Sequence, residues 1–190
     1  MTLFIFFLFW GFTTQAQAKY EREFRIKKSE FPQKALELVN QRIKDARKIR
    51  YYKEIDSVTI TFESKFKKDK LHYSVNFNSK GELEDIEIQI SKVDIPSDVW
   101  SSIAEHLNGD CKKFKIRRLQ QQYPLKNGLS AEKIINDAFQ NLILPYINYE
   151  LIVVCKRDSG REEFEYLFNA QGDFVSKRKS LPANYDHILY

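Results

Sequence analysis

Four carboxylates crowd one short stretch of the chain: Glu82, Glu84, Asp85 and Glu87. Two carboxylates can share general acid–base work when burial drives their pKa values apart. Here the acids alternate with Ile86, Ile88 and Ile90, so the stretch reads as a strand with the isoleucines inward. Its acids then lie mainly outward, on a solvated face. A calcium loop needs the order Asp-x-Asp-x-Asp-Gly, which this run lacks. The histidines, His72, His106 and His187, stand at no metal-ligand spacing from each other or from a cysteine. His72 falls on the outward phase of a strand and His106 on a helix, as exposed or capping residues. No Gly-x-Ser-x-Gly elbow occurs, neither cysteine has a nucleophile context, and the six glycines form no phosphate loop. The expectation is a protein with no enzyme activity, no metal and no cofactor.

A basic strip is the more suggestive feature. From Lys112 to Arg118, alternation puts Lys113, Lys115 and Arg117 on one face of a strand and Phe114 and Ile116 on the other. Such a strip can meet carboxylates or phosphates. Lysines on a strand also discourage edge pairing, which is their alternative use. Tyr123 follows close by. Tyr51 and Tyr52 are adjacent, so one of them faces out, and an exposed aromatic beside basic residues suits a protein partner. Lys113, Lys115, Arg117 and Tyr52 are therefore the candidate residues for ligand or partner binding. Cys111 and Cys155 have the parity of a disulfide in an oxidising compartment, with two buried thiols as the other reading.

These residues need elements to hold them. The stretch from Val58 to Ile90 reads as three strands joined by tight turns, and it echoes without gaps 91 positions later, from Tyr149 to Leu181. Val58, Ile60, Phe62 and Ser64 fall on Tyr149, Leu151, Val153 and Cys155; Tyr73, Val75 and Phe77 fall on Phe164, Tyr166 and Phe168. Asn78-Ser79-Lys80-Gly81 falls on Asn169-Ala170-Gln171-Gly172, and each glycine stands where a hairpin needs positive φ. The echo is a duplication or two ordinary hairpins of similar length. Around it, Tyr20 to Lys27 and Ile49 to Ile55 read as strands, and Pro32 to Ala46 as a helix with Ala35, Leu36, Val39 and Ile43 inward. A second helix opens at Ile95-Pro96-Ser97-Asp98 and ends at Asn108-Gly109. A strand from Cys111 to Gln122 is broken by Tyr123-Pro124 and Asn127-Gly128, and a third helix starts at Ser130 and closes before Pro145. The result is an α+β fold: antiparallel hairpins with amphipathic helices on one face.

Residues 1–18 resemble an export signal: an apolar run, Leu3 to Phe12, too short to span a bilayer, then Ala16-Gln17-Ala18 in small-x-small form. No Lys or Arg precedes the run, and no cysteine near the cut provides a lipid anchor. No later stretch is long and apolar enough to cross a membrane. The net charge of +5 suits anionic surfaces, and the export route disfavours nucleic acid.

At the level of families, Phe31-Pro32-Gln33-Lys34-Ala35-Leu36, followed by the meander ending Tyr73-Ser74-Val75-Asn76-Phe77-Asn78-Ser79-Lys80-Gly81, resembles the PepSY-like domain. This domain is also called the beta-lactamase-inhibitor-protein-like fold and occurs in exported proteins of Bacteroidetes-type bacteria. The match is strongest over 31–90 and weaker over 130–181, and 95–124 has no counterpart beyond helix-then-strand. The resemblance implies a periplasmic or secreted binding module and supplies no catalytic residues. The expected organisation is a signal over 1–18, a first unit over 19–94 and a divergent second unit over 95–190. The expected role is noncatalytic binding of a protein or anionic envelope ligand through the outer sheet face, the alternatives being a structural envelope protein or an enzyme.

Overall fold

The computed structural model describes residues 21–56, 59–126 and 128–180 of the 190-residue chain. The leading segment 1–18, Val58, Asn127, the tail from Leu181 and His187 lie outside the described residues.

The elements run β1 (Glu21–Ile26), α1 (Gln33–Asn40), β2 (Arg47–Asp56), β3 (Thr59–Lys68), β4 (Leu71–Asn78), β5 (Leu83–Gln89), α2 (Ser97–Asp110), β6 (Lys113–Pro124), α3 (Ala131–Phe139), β7 (Asn148–Arg157), β8 (Gly160–Asn169) and β9 (Phe174–Lys179). All nine strands join one open sheet in chain order, each antiparallel to the next. Alternation decides which side each residue faces. Val75, Phe77, Ile86 and Ile88 in the first half, and Leu151, Val153, Tyr166 and Phe168 in the second, point to one side and are buried.

The helices cover that side alone. Each brings an apolar stripe at helical spacing: Ala35, Leu36 and Val39 on α1; Val99, Ile103 and Leu107 on α2; Ile134, Ile135 and Ala138 on α3. Burying each large apolar side chain contributes roughly 1.5–3 kcal/mol. Aromatic contacts set where the helices land. Phe31, just before α1, meets Phe62 and Phe77 edge-on at 5.8 Å. Phe139, at the end of α3, stacks on Tyr73 at 5.1 Å.

The two Asn-x-x-Gly turns match in their hydrogen bonds. Asn78 Oδ1 accepts from the backbone N–H of Lys80 at 2.9 Å and of Glu82 at 3.0 Å. Asn169 Oδ1 accepts from Gln171 and Asp173, both at 2.9 Å. Gly81 has φ +72° and Gly172 φ +85°. Each also meets a helix closely: a Cβ at Gly81 would lie 2.9 Å from Pro32 Cβ beside α1, and one at Gly172 would lie 2.6 Å from the Val99 carbonyl of α2.

Four boundaries differ from the sequence expectation, and the first is α3, which ends at Phe139 rather than continuing to just before Pro145. α1 ends at Asn40, not Ala46; tight turns follow, with Arg42 N–H on the Val39 carbonyl, and they still bury Ile43. Gly109 does not stop α2, because the helix ladder continues until Cys111 N–H bonds the Leu107 carbonyl at 2.9 Å. β6 runs through Tyr123 to Pro124, and Leu125 N–H carries the pairing on to the Glu84 carbonyl at 2.8 Å.

Candidate functional site

Among the described residues, the opposite face of the sheet carries no helix, and it is where the chemistry-bearing residues gather. Cross-strand pairing brings polar residues together in rows: Tyr52, Glu63, Asn76 and Asp85 across β2 to β5, and Lys65, Ser74, Glu87 and Gln122 across β3 to β6. A third row, Arg118, Ile152, Glu165 and Arg178, crosses β6 to β9.

One irregularity makes this arrangement work. The β6–β7 register shifts between Ile116 and Arg118, leaving Arg117 as an extra residue opposite no partner. Before the bulge, odd-numbered Lys113 and Lys115 face the helix-free side; after it, even-numbered Arg118, Gln120 and Gln122 do. The basic strip and the amides thus share one face. The shift also corrects the expectation for Tyr123, which sits fully buried on the helix side rather than near the strip.

A recess of about 730 Å³ opens in this face. Nine carboxylates line it against four cations, Lys65, Arg117, Arg118 and Arg178. The acids come from six strands: Glu23, Glu54, Glu63, then Glu84, Asp85 and Glu87 on β5, then Glu150, Glu163 and Glu165. This overturns the expectation of a simple solvated face for the β5 acids. Glu82 and Glu84 are exposed, but Asp85 and Glu87 are half-buried and held by amides. Asn76 Nδ2 donates to Asp85 Oδ1 at 2.6 Å, Gln122 Nε2 to Asp85 Oδ2 at 2.8 Å, and Gln120 Nε2 to Glu87 Oε2 at 2.5 Å. Strand alternation alone cannot reveal this, because the partners come from β4 and β6.

Burial sets the protonation of these acids. It pushes the Asp85 carboxyl up to about 6, against the amide hydrogen bonds that favour its charge. Burial, then the neighbouring Glu150 and Asp85, raises Glu87 well above the ordinary carboxylate range. Burial, then Glu63 beside it, pushes Glu54 up to about 8. Burial opposes the charge on Lys65, but Glu63 and Glu23 outweigh it and hold the ammonium above its usual value.

The carboxylate oxygens of Glu23, Glu54 and Glu63 lie within 4.8 Å of one another, which is metal-ligand spacing. An internal cation already serves them: Lys65 Nζ stands 3.2 Å from Glu23 and 2.8 Å from Glu63. The same ammonium sits 4.7 Å from the Tyr52 ring centroid. The other grouping, Asp110 with Cys111 and Cys155, offers no thiolates, because the cysteines form a disulfide.

Of the candidate residues, Lys113, Lys115 and Arg117 are exposed, and Arg117 lines the recess. Tyr52 is half-buried on the same face, four strands from β6, and Tyr51 is the buried one, packed 4.8 Å from Phe31. His72 is exposed on this face, as alternation indicates, whereas His106 is half-buried and stacked 4.3 Å from Phe174. The sequence reading missed Glu23, Glu54, Glu63, Lys65, Arg118 and Arg178. Each sits in an unremarkable polar alternation, and only the pairing of all nine strands in chain order assembles them.

No family model and no curated protein sequence matches the chain. Solved structures do. A DUF2874 family protein from Bacteroides ovatus aligns with TM-score 0.55 at 11% identity, covering 84% of this chain and 94% of that one. A proposed periplasmic protein from Bacteroides eggerthii aligns with TM-score 0.55 at 10% identity over 82% and 93%. A BLIP-like protein from Bacteroides fragilis aligns with TM-score 0.49 at 10% identity over 84% and 92%. The chain has the fold of the Bacteroides ovatus and Bacteroides eggerthii proteins, in line with the resemblance carried by residues 31–90. Among the described residues, no helix is long and apolar enough to cross a membrane.

Proposed function

We propose that the protein is an exported, noncatalytic binding module of the cell envelope that holds a protein or anionic envelope ligand on the helix-free face of its sheet. The observation that carries this reading is the recess of about 730 Å³, lined by partly buried charges held in place by cross-strand hydrogen bonds. A purely structural envelope protein needs no such depression, and burying carboxylates costs stability, a cost that a binding role would account for. The acidic recess receives cationic groups of the ligand, and Lys113, Lys115 and Arg117 beside it receive anionic ones. Tyr52 adds an aromatic contact at the far side.

Export to the periplasm is supported by the leading apolar segment with Ala16-Gln17-Ala18, by the disulfide, and by the fold shared with a proposed periplasmic protein. The division into units 19–94 and 95–190 is supported by the paired turns, and it modifies the sequence expectation in one respect. Gly81 packs on α1 and Gly172 on α2, so α2 is the counterpart of α1, and α3 is an insertion between β6 and β7.

A second reading, an acid–base enzyme, draws on one observation: Asp85 and Glu87 lie in the recess with raised pKa values. Their oxygens accept from Asn76, Gln122 and Gln120, which suits a scaffold more than a proton shuttle.

Capture of envelope components by the immobilised protein tests the binding reading. At low salt, Lys113→Glu, Lys115→Glu and Arg117→Glu together reduce capture at least about tenfold, with the thermal unfolding temperature preserved. Unchanged capture by the triple variant overturns the basic strip as a contact surface.

A further inference from the structure

Beside the acidic recess lies a second depression, of about 360 Å³, whose lining contains no carboxylate. Lys48 and Arg50 of β2, Lys67 of β3 and Arg118 of β6 surround it, with His72, Gln89 and Gln120 between them. Lys48, Arg50 and Lys67 make no ion pair with a carboxylate among the described residues, whereas Arg118 also lines the acidic recess, where its charge acts on Glu87. Lys65, which also lines it, is neutralised from the recess side by Glu23 and Glu63.

We propose that this depression is a phosphate-binding site, so that the ligand of the helix-free face carries a phosphate group. The proposal rests on the binding-module reading and names the chemistry of its anionic end.

Three observations support it. First, the β2–β3 pairing crowds cations at this end of the sheet: Arg47 faces Lys67, and Arg50 faces Lys65, whose own charge Glu23 and Glu63 already balance. Like charges directly opposite each other destabilise a sheet, and an anion beside the Arg47–Lys67 pair relieves that. Second, the β2–β3 register shifts between Arg47 and Arg50, and Lys48 adopts φ 55° there. A non-glycine residue rarely adopts that conformation, and the bulge turns the Lys48 side chain into the depression. Third, Arg50 and Arg118 both line the depression, and a guanidinium can hold a phosphate oxyanion through paired N–H donors. Ser74, Gln89 and Gln120 add neutral hydrogen-bonding groups. The acidic recess next door makes the site selective: a long polyanion is repelled by it, while a single phosphate fits the basic end alone.

The test is titration of the purified protein with inorganic phosphate at fixed chloride, followed by calorimetry and phosphorus NMR. Saturable one-to-one binding is expected, weakened at least about tenfold in Arg50→Gln with Arg118→Gln and unchanged in Lys28→Gln with Lys126→Gln, exposed cations that line neither depression. Unfolding curves of both variants establish that they fold. Vesicles with and without phosphatidylglycerol identify the source. Binding to the anionic vesicles assigns a lipid headgroup, and binding to phosphate alone assigns a soluble phosphate ester; both support the site. No saturable binding, or equal loss in both variants, overturns it in favour of a diffuse basic surface only. Envelope capture that persists while phosphate fails to bind separates this outcome from failure of the binding-module reading.

Discussion

Removing the Cys111–Cys155 bridge lowers the thermal unfolding temperature by roughly 10 °C. Cys111 directly follows α2 and Cys155 lies on the helix-facing side of β7, so the bond pins the end of the helix to the sheet. The bridged residues are 44 apart in sequence. Chain-entropy reasoning for a loop of that size gives about 4 kcal/mol, and a domain of this length loses about 2–4 °C per kcal/mol. The surroundings survive reduction. The Tyr166 hydroxyl is 3.3 Å from Cys155 Sγ and donates to Asp110, which also accepts from Arg157 at 2.8 Å and Lys177 at 2.5 Å. The reduced protein therefore stays folded at room temperature but melts earlier. Calorimetry of the protein with and without reductant, and of Cys111→Ser with Cys155→Ser, checks this. A change below about 2 °C contradicts it.

The second large effect is an unusual pH dependence. Asp85 and Glu54 have folded-state pKa values raised to about 6 and about 8, and Glu87 is raised as well. Their neutral forms are favoured in the folded protein, so the folded state binds more protons than the unfolded one. This contribution to stability is fully present below the unfolded carboxyl range, near pH 4, and is lost as pH rises through 6 and then 8. Asp110 and Asp137 act in the opposite sense. Burial works against their charge, but hydrogen bonds and nearby cations outweigh it and hold both carboxyls below the usual range, so they lose stability only on further acidification. Stability is therefore highest near pH 4–5 and falls towards pH 8 by on the order of 2 kcal/mol, after discounting for solvent contact. Denaturant unfolding from pH 4 to 8 measures the slope. Glu54→Gln flattens its upper part, and a slope of the opposite sign in the wild type refutes the assignment.

The fold was legible where one strand explains itself. Period-two patterns such as Tyr73, Val75 and Phe77 fixed which side faces the core, and the Asn-x-x-Gly turns located two hairpins. The helix-facing stripes of α1, α2 and α3 followed from spacing in the same way. The site was legible only in part. Arg117 was visible as a basic residue, but not as the bulge that keeps Lys113 and Gln122 on one face, because a bulge leaves no mark on local alternation. Asp85 read as a solvated acid because the Asn76 and Gln122 amides that hold it come from other strands. Lys65 did not stand out in the sequence, although it balances Glu63 and Glu23 and covers Tyr52. Electrostatics of this kind arise from tertiary pairing, which composition and periodicity do not encode.

The most direct measurement of the central claim fills the recess and asks whether binding survives. Ile152 lies in its lining, buried among the polar residues of β7 and its neighbours. Ile152→Trp places a large ring there, whereas Glu37→Lys with Glu105→Lys alters only the exposed outer faces of α1 and α2. Quantitative capture of envelope components by the wild type and both variants, each shown to be folded, then compares the two faces. Loss of the captured component by Ile152→Trp alone is the result this account predicts. Capture that survives a filled recess and fails in the helix-face variant would place the binding surface on the other side of the molecule.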